Sequence, residues 1–134
     1  MLERIDFLFR MNENFAIETT LATKIYKNKI EKAIENGYTI KLLFFWLPTI
    51  EMAINRVAIS VSEGGHNIPD HIISRRYSRG IENLFKIYIP LCNECAVFDN
   101  SDGQPVKIAQ GILSKIDVIL PEKWNLFKFN IHQI

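Results

Sequence analysis

The pattern of apolar positions predicts strands that alternate with helices. Apolar runs at Phe15–Glu18, Thr39–Leu47 and Ala96–Asp99 predict three short strands, and residues 105–120 predict a peripheral β segment. The run within Thr39–Leu47 is unbroken, which is typical of a strand covered on both faces in a parallel sheet. Strands that alternate with helices favour an α/β domain with a mostly parallel sheet.

Helical spacing accounts for the segments between these strands. Residues 3–12 predict a short amphipathic helix, and Thr19 or Thr20 can cap a helix that ends at Gly37. Thr49 can cap a third helix, which Gly64-Gly65 ends. The last two predicted helices run from Pro69 to about Tyr88 and, as a short helix or closing tail, from Glu122 to Phe129.

The predicted helix from Pro69 has two distinct faces. Arg75, Arg76 and Arg79 fall on the side opposite its apolar stripe. The arginine guanidinium binds phosphate oxygens in pairs, which indicates a phosphate contact. The alternative is a solvated face with a few surface ion pairs, since Glu82 lies near Arg79. The apolar stripe is formed by Ile73, Tyr77, Ile81, Leu84 and Tyr88.

Composition and charge narrow the classes of function. A chain of 134 residues predicts one domain, and a net charge of +1 gives no basic field for nucleic acid. The longest apolar run, Leu42–Leu47, is far shorter than the ~20 residues that span a membrane. The first residues, Met1–Asp6, are charged where a signal peptide is apolar. We therefore expect a cytoplasmic protein with no membrane and no nucleic acid among its partners.

The only two cysteines, Cys92 and Cys95, form a C-x-x-C pair. A structural zinc site needs two further ligands, for which His66 and His71 are the upstream candidates. The pair follows a proline and leads into an apolar strand rather than a helix, which disfavours a redox motif. Two reduced structural thiols, with no metal, are the favoured interpretation.

Polar side chains follow two of the predicted strands. Glu18, Thr19 and Thr20 follow one strand, and Asp99 and Asn100 end another. Ligands of α/β sheets bind beyond the carboxyl ends of strands, so these side chains are candidates for ligand contacts. Helix capping and turn formation explain the same residues equally well.

The loop Gly64–Pro69 joins two predicted helices. Paired glycines permit a close backbone approach to a ligand, and His66 could donate a hydrogen bond to a phosphate. A helix end followed by a turn, with His66 exposed, is the alternative.

The order of these segments resembles that of the zeta-toxin-like P-loop kinases, particularly the short bacterial zeta toxin family proteins. The resemblance covers about residues 3–110. It rests on Phe15–Leu21, Gly37-Tyr38, Trp46–Pro48, Ala53–Val57, Gly64–Pro69, Ile73–Tyr77, Asn83–Phe85 and Asp99–Ser101.

The resemblance implies a P-loop-kinase-like three-layer α/β/α fold. It also implies a kinase that uses ATP and Mg²⁺, with a nucleotide sugar such as a UDP-activated amino sugar as substrate. The roles implied are substrate binding for Glu18, Thr19 and Thr20, catalysis for Arg75, Arg76 and Arg79, and nucleotide binding for His66, Asp99 and Asn100.

The chain departs from this family in two places. None of its six glycines is followed by lysine, so it holds no G-x-x-x-x-G-K-[ST] phosphate loop. Ser60 stands where the helix pattern of the family has a second arginine. We therefore interpret residues 1–134 as a single kinase domain truncated at its N-terminus. It is either a fragment of an active kinase or a non-catalytic module that binds a nucleotide or a protein.

The resemblance also places a missing first strand between Phe15–Glu18 and Thr39–Leu47. A bare strand edge is a template for association. We therefore expect one of two arrangements. Either Phe15–Glu18 closes directly onto residues 40–46, or another chain, in a homodimer or with an antitoxin, covers this edge.

Overall fold

The structure is a computed structural model that describes residues 2–113 and 115–132. It is an α/β fold, which confirms the class predicted from the sequence. A π-helical segment, Leu84–Tyr88, joins α4 to the short α5. The helices are α1 (Leu2–Arg10), α2 (Tyr26–Glu35), α3 (Ile50–Ser62), α4 (Asp70–Asn83), α5 (Ile89–Leu91) and α6 (Pro121–His132), and the strands are β1 (Lys41–Trp46), β2 (Glu94–Asp99), β3 (Val106–Ile112) and β4 (Lys115–Val118).

The strands form one mixed sheet in the order β1-β2-β3-β4. β1 pairs parallel with β2, from Lys41 beside Glu94 to Trp46 beside Asp99. The other two pairings, β2 with β3 and β3 with β4, are antiparallel. The sheet is therefore mixed rather than mostly parallel, and β1 lies at its edge.

Local signals set the helix ends that the sequence predicts. The Thr49 hydroxyl accepts a hydrogen bond from the Met52 N–H at 3.2 Å, which confirms Thr49 as the cap of α3. Gly64, with φ +96°, ends that helix. Gly37, with φ +88°, occupies the left-handed position after α2, and the Tyr38 N–H donates to the Ala33 carbonyl at 2.9 Å.

The apolar stripe of α4 packs into the core as predicted. Ile73, Ile81, Leu84 and Tyr88 are buried, and Tyr77 is half-buried. The π-helical turn contains one residue more than an α-helical turn and so lengthens the spacing of the apolar stripe locally. It keeps Leu84 and Tyr88 on the buried side although the helix continues into α5.

The centre of the core is aromatic, and the last third of the chain contributes Trp124 and Phe127 to it. Phe127 of α6 is fully buried, and its ring lies 5.1 Å from those of Trp46 and Phe85. Ile108 of β3 is also fully buried. The β segment predicted at residues 105–120 and the helix predicted at Glu122–Phe129 are confirmed. The prediction that the β segment is peripheral is wrong, because Ile108 lies in the core, and Phe127 places α6 there too.

The two faces of β1 are not equally covered. Phe44 and Trp46 point toward the helices, whereas Leu43 and Phe45 are 58% and 47% exposed on the other face. Phe45 stacks there on Phe98 of β2 with ring centroids 5.0 Å apart. The prediction that β1 is covered on both faces is wrong, and no helix of the described ranges covers Leu43 or Phe45. A continuous apolar run specifies a strand without specifying what covers it.

Candidate functional site

A large cavity lies beside the free edge of β1. Its volume is about 1280 Å³. One wall is β1 itself, and residues 14–21 form the wall that faces it. α3 contributes Ala53 and Val57, while α4 contributes Arg76 and Tyr77. The cavity is therefore a groove in the place where a fifth strand would continue the sheet.

The backbone of β1 presents unpaired groups to this groove. The Ile40 and Trp46 carbonyls accept hydrogen bonds from the N–H groups of Glu94 and Asn100 in the β2 segment. In a parallel pair, alternate residues bond to the neighbouring strand. The even-numbered residues of β1 therefore bond to β2. The N–H and C=O groups of Leu43 and Phe45 point into the groove, away from β2.

The facing wall is extended but is not a strand. Residues 14–20 make no backbone hydrogen bond to β1 within the described ranges. The prediction of a strand at Phe15–Glu18 is therefore wrong, and so is the expectation that it closes onto residues 40–46. The second expectation, that another chain covers the edge, remains a prediction.

The threonines of this wall form local turns rather than a helix cap. The Thr19 and Thr20 hydroxyls accept hydrogen bonds from the N–H groups of Leu21 and Ala22 at 3.2 and 3.4 Å. Since α2 begins only at Tyr26, the prediction that either threonine caps it is wrong. Threonine side chains satisfy nearby backbone groups in turns as readily as at helix starts.

Residues of α4 and the π-helical segment hold this wall in place. The Asn83 amide donates to the Leu21 carbonyl, and the Tyr88 hydroxyl donates to the Thr23 carbonyl, both at 2.7 Å. A Cβ on Gly80 would lie 2.4 Å from the Thr20 carbonyl oxygen. The sequence predictions missed this function of the three residues. A glycine and a buried asparagine within a helical pattern were the available signals.

The structure brings part of the predicted site together in this groove. Glu18, Thr19 and Thr20 line it with Arg76 and Asn100. Arg76 has no acidic partner in the described part of the chain, whereas the lining lysines are paired, Lys29 with Asp6 and Lys41 with Glu94 at 3.6 Å. The lining thus carries three basic side chains and one carboxylate, that of Glu18. The Arg76 guanidinium is available to an anionic ligand.

The other two arginines lie outside the lining of the groove. Arg75 and Arg79 are exposed on α4. The pKa of Glu82 is lowered, mainly by its hydrogen bond from Lys86 and to a smaller extent by the charge of Arg79. Arg79 is therefore partly compensated by a neighbour on its own helix, while Arg75 faces solvent.

Asp99 is buried and fully engaged within the protein. Its carboxylate accepts hydrogen bonds from the Ser101 N–H at 3.0 Å and from the Lys123 ammonium group. Burial raises the pKa of Asp99, but these two hydrogen bonds outweigh burial and lower the pKa overall. Asp99 is absent from the lining of the groove, and its contacts anchor α6 to the end of β2.

His66 also lies apart from the groove, in the exposed turn between α3 and α4. The Gly65 N–H donates to the Ser60 carbonyl at 2.7 Å, and a Cβ on Gly65 would lie 2.8 Å from that oxygen. The paired glycines therefore close the end of α3, as the turn interpretation predicts. Arg56 of α3 donates to the Asn100 carbonyl and ties this helix to the end of β2.

Trp46 carries an unused hydrogen-bond donor. Its side chain is 1% exposed and lines the groove, and its indole N–H has no acceptor in the described part of the chain. Leaving such a buried donor unpaired costs about 1–3 kcal/mol.

The cysteine pair lies beneath this region. Burial, and then the nearby Cys95, raise the pKa of the Cys92 thiol to about 11. Burial also raises the pKa of Cys95. Within residues 2–113 and 115–132 no three His, Cys, Asp or Glu side chains are grouped to hold a metal ion.

The residues of the groove fit a phosphate better than a magnesium ion. Arginine and an indole N–H are hydrogen-bond donors, as phosphate oxygens require. Mg²⁺ requires oxygen ligands, usually one or two carboxylates plus the phosphates of the substrate. Glu18 is the single carboxylate of the described lining, and Asp99 is already engaged by Lys123 and Ser101. The described residues therefore do not form a magnesium site.

Comparison with known proteins gives one relative. An uncharacterized protein of Haemophilus influenzae is 28% identical over 71 residues, which are 53% of this chain and 51% of that protein. The match thus spans about half the length of this curated relative. No family model matches the chain, and no solved structure matches it. Among the described residues no helix is long and apolar enough to cross a membrane.

Proposed function

We propose that these 134 residues belong to a zeta-toxin-like kinase domain and by themselves bind a nucleotide or nucleotide sugar without turning it over. The observation that carries the proposal is the grouping of Glu18, Thr19 and Thr20 with Arg76 along one groove. Arg76 supplies the contact to phosphate, and the polar side chains contact hydroxyl groups.

The proposal excludes turnover because the chain has no phosphate loop. Such a loop supplies the backbone N–H groups and the lysine that hold the phosphates. Loss of a single preorganised donor reduces rates by about 10²–10³. Binding requires fewer contacts than turnover, so Arg76 can hold a phosphate weakly.

Isothermal titration with ATP and with a UDP-activated amino sugar tests binding. We expect one weak site that Arg76→Ala removes and Arg79→Ala preserves, because Arg79 lies on the same helix outside the groove. Absence of binding by both ligands would contradict the proposal.

Turnover is assayed separately with ATP and Mg²⁺, and we expect none above background. Magnesium-dependent phosphorylation that Arg76→Ala abolishes would contradict the proposal of a binding module and show an active kinase instead.

A further inference from the structure

The free edge of β1 and residues 14–21 line the same groove and enclose a slot. Tyr38 connects the two walls of the slot at the start of β1. Its hydroxyl donates to the Glu13 carbonyl at 3.0 Å. At the other end, the Tyr77 hydroxyl donates to the Leu47 carbonyl at 2.6 Å. The open part between these contacts is the length of β1, six residues.

The volume of the slot matches one strand. A six-residue strand is about 20 Å long, about 4.8 Å wide between its neighbours and about 10 Å thick, or roughly 950 Å³. The groove holds about 1280 Å³. A second copy of the folded chain would bring a sheet rather than a single strand, because its own β2 lies beside its β1. A single extended segment fits between the two walls.

The charges of the slot select the chemistry of that segment. Its floor is apolar, with Ile73, Ile81 and Leu42 among the lining residues. Arg76, which has no acidic partner in the described ranges, lies at the end where β1 finishes, next to Tyr77. An acidic residue at that end of the segment complements Arg76.

We propose that this slot accepts one β-strand from another polypeptide, apolar along its length and acidic at the end beside Arg76, and that this strand competes with the phosphate ligand for the groove. The strand hydrogen-bonds to the N–H and C=O groups of Leu43 and Phe45 and extends the sheet beyond β1. Its apolar side chains face the apolar floor on one side and continue the Leu43–Phe45 surface on the other. This mode of binding obtains affinity from the main chain and specificity from alternate side chains.

A synthetic peptide tests the proposal without any nucleotide. The probe is acetyl-Ser-Val-Ile-Val-Leu-Val-Asp-amide, and a control probe carries proline in place of the central valine. We expect the first probe to bind and to slow the exchange of the Leu43 and Phe45 amide protons, measured by NMR. We expect the control to do neither, because proline lacks the N–H and disrupts a central strand.

A matched pair of variants locates the contact on β1. Leu43→Pro removes an N–H that points into the slot but takes part in no bond to β2, so the sheet tolerates it. Leu43→Thr changes the same side chain and keeps the N–H. We expect Leu43→Pro to weaken peptide binding by about tenfold relative to Leu43→Thr. If Leu43→Pro does not fold, the exchange of the Leu43 and Phe45 amide protons in the wild-type chain, with and without peptide, tests the proposal.

The alternative occupants give different results. A stable dimer by light scattering, with the Leu43 and Phe45 amides already protected and no peptide bound, would assign the edge to a second copy and overturn the proposal. Peptide binding that leaves both amides in fast exchange would also overturn it. Since no nucleotide is present, a failure here leaves the phosphate proposal separately testable.

Discussion

The two halves of the molecule differ in whether the helix that belongs to each, α6 or α3, buries apolar side chains in the core. In the half built from β2, β3, β4 and α6, Trp124 and Phe127 of α6 are buried. In the half around β1, α3 has more aliphatic residues than α6, yet none of its thirteen residues is buried. Apolar residues left exposed together on neighbouring elements indicate an interaction surface. The closed half thus stabilises the fold, and the open half is the place for binding.

The largest expected effect is in the closed half. Phe127→Ala removes a fully buried ring that contacts the rings of Trp46, Phe85 and Trp124. We expect a loss of about 3–5 kcal/mol in the free energy of unfolding, measured by urea titration. Phe129→Ala in the same helix is the matched control, because its side chain is 57% exposed. Equal losses in the two variants would contradict the comparison of buried and exposed positions.

A smaller effect is expected at the boundary between the halves. Alanine normally stabilises a helix relative to glycine by about 1 kcal/mol. In Gly80→Ala, however, the new Cβ would lie 2.4 Å from the Thr20 carbonyl oxygen, so the wall of the groove must move. We expect a net loss of about 1–3 kcal/mol and faster proteolysis within residues 14–25. Increased stability in this variant would show that residues 14–21 are not held against α4.

The third prediction concerns pH and the anchor of the closed half. The pKa of Asp99 lies below its ordinary value of 3.8, so its ion pair stabilises the fold above that pH. The stability is lost as pH falls through the lowered pKa. We expect thermal unfolding between pH 7 and pH 3 to show a smaller acid-induced decrease for Lys123→Met than for the wild type. Lys128→Met, an exposed lysine of the same helix, should behave as the wild type.

The smallest effect is expected at the cysteines. Raising the Cys92 pKa from 9.0 to about 11 lowers its thiolate fraction about 100-fold at neutral pH. We expect Ellman's reagent to label Cys92 far more slowly in the native protein, measured in a Cys95→Ser background, than after unfolding. Elemental analysis should find no stoichiometric zinc. One zinc per chain that Cys95→Ser removes would contradict the structural interpretation of the thiols.

The sequence predicts the parts of this fold that local patterns specify. Thr49 as a cap, Gly37 after α2 and the stripe from Ile73 to Tyr88 all agree with the structure, because capping and helical periodicity act over a few residues. The partners across the sheet were not predictable in this way. The exposure of Leu43 and the central position of Phe127 depend on which elements meet, which no local pattern encodes.

The candidate site was predictable only in part. Glu18–Thr20 and Asn100 line one groove although no strand ends at Glu18, and the arginine cluster contributed Arg76. The sequence could not show that Lys123 already engages Asp99, since 24 residues separate the two in the chain. The anchoring of residues 20–23 by Asn83 and Tyr88 was hidden for the same reason.

The position of β1 also has a kinetic consequence. β2, β3 and β4 follow one another along the chain, and each pairs with the next. The loops between them are short, so closing them costs little entropy. β1 pairs with β2 only after residues 47–93 have been ordered between them. Long-range pairings form slowly because loop-closure entropy is lost before any contact is gained. We therefore expect β1 to join the sheet last during folding and to detach first, so that its edge is exposed to other chains during synthesis as well as in the folded protein.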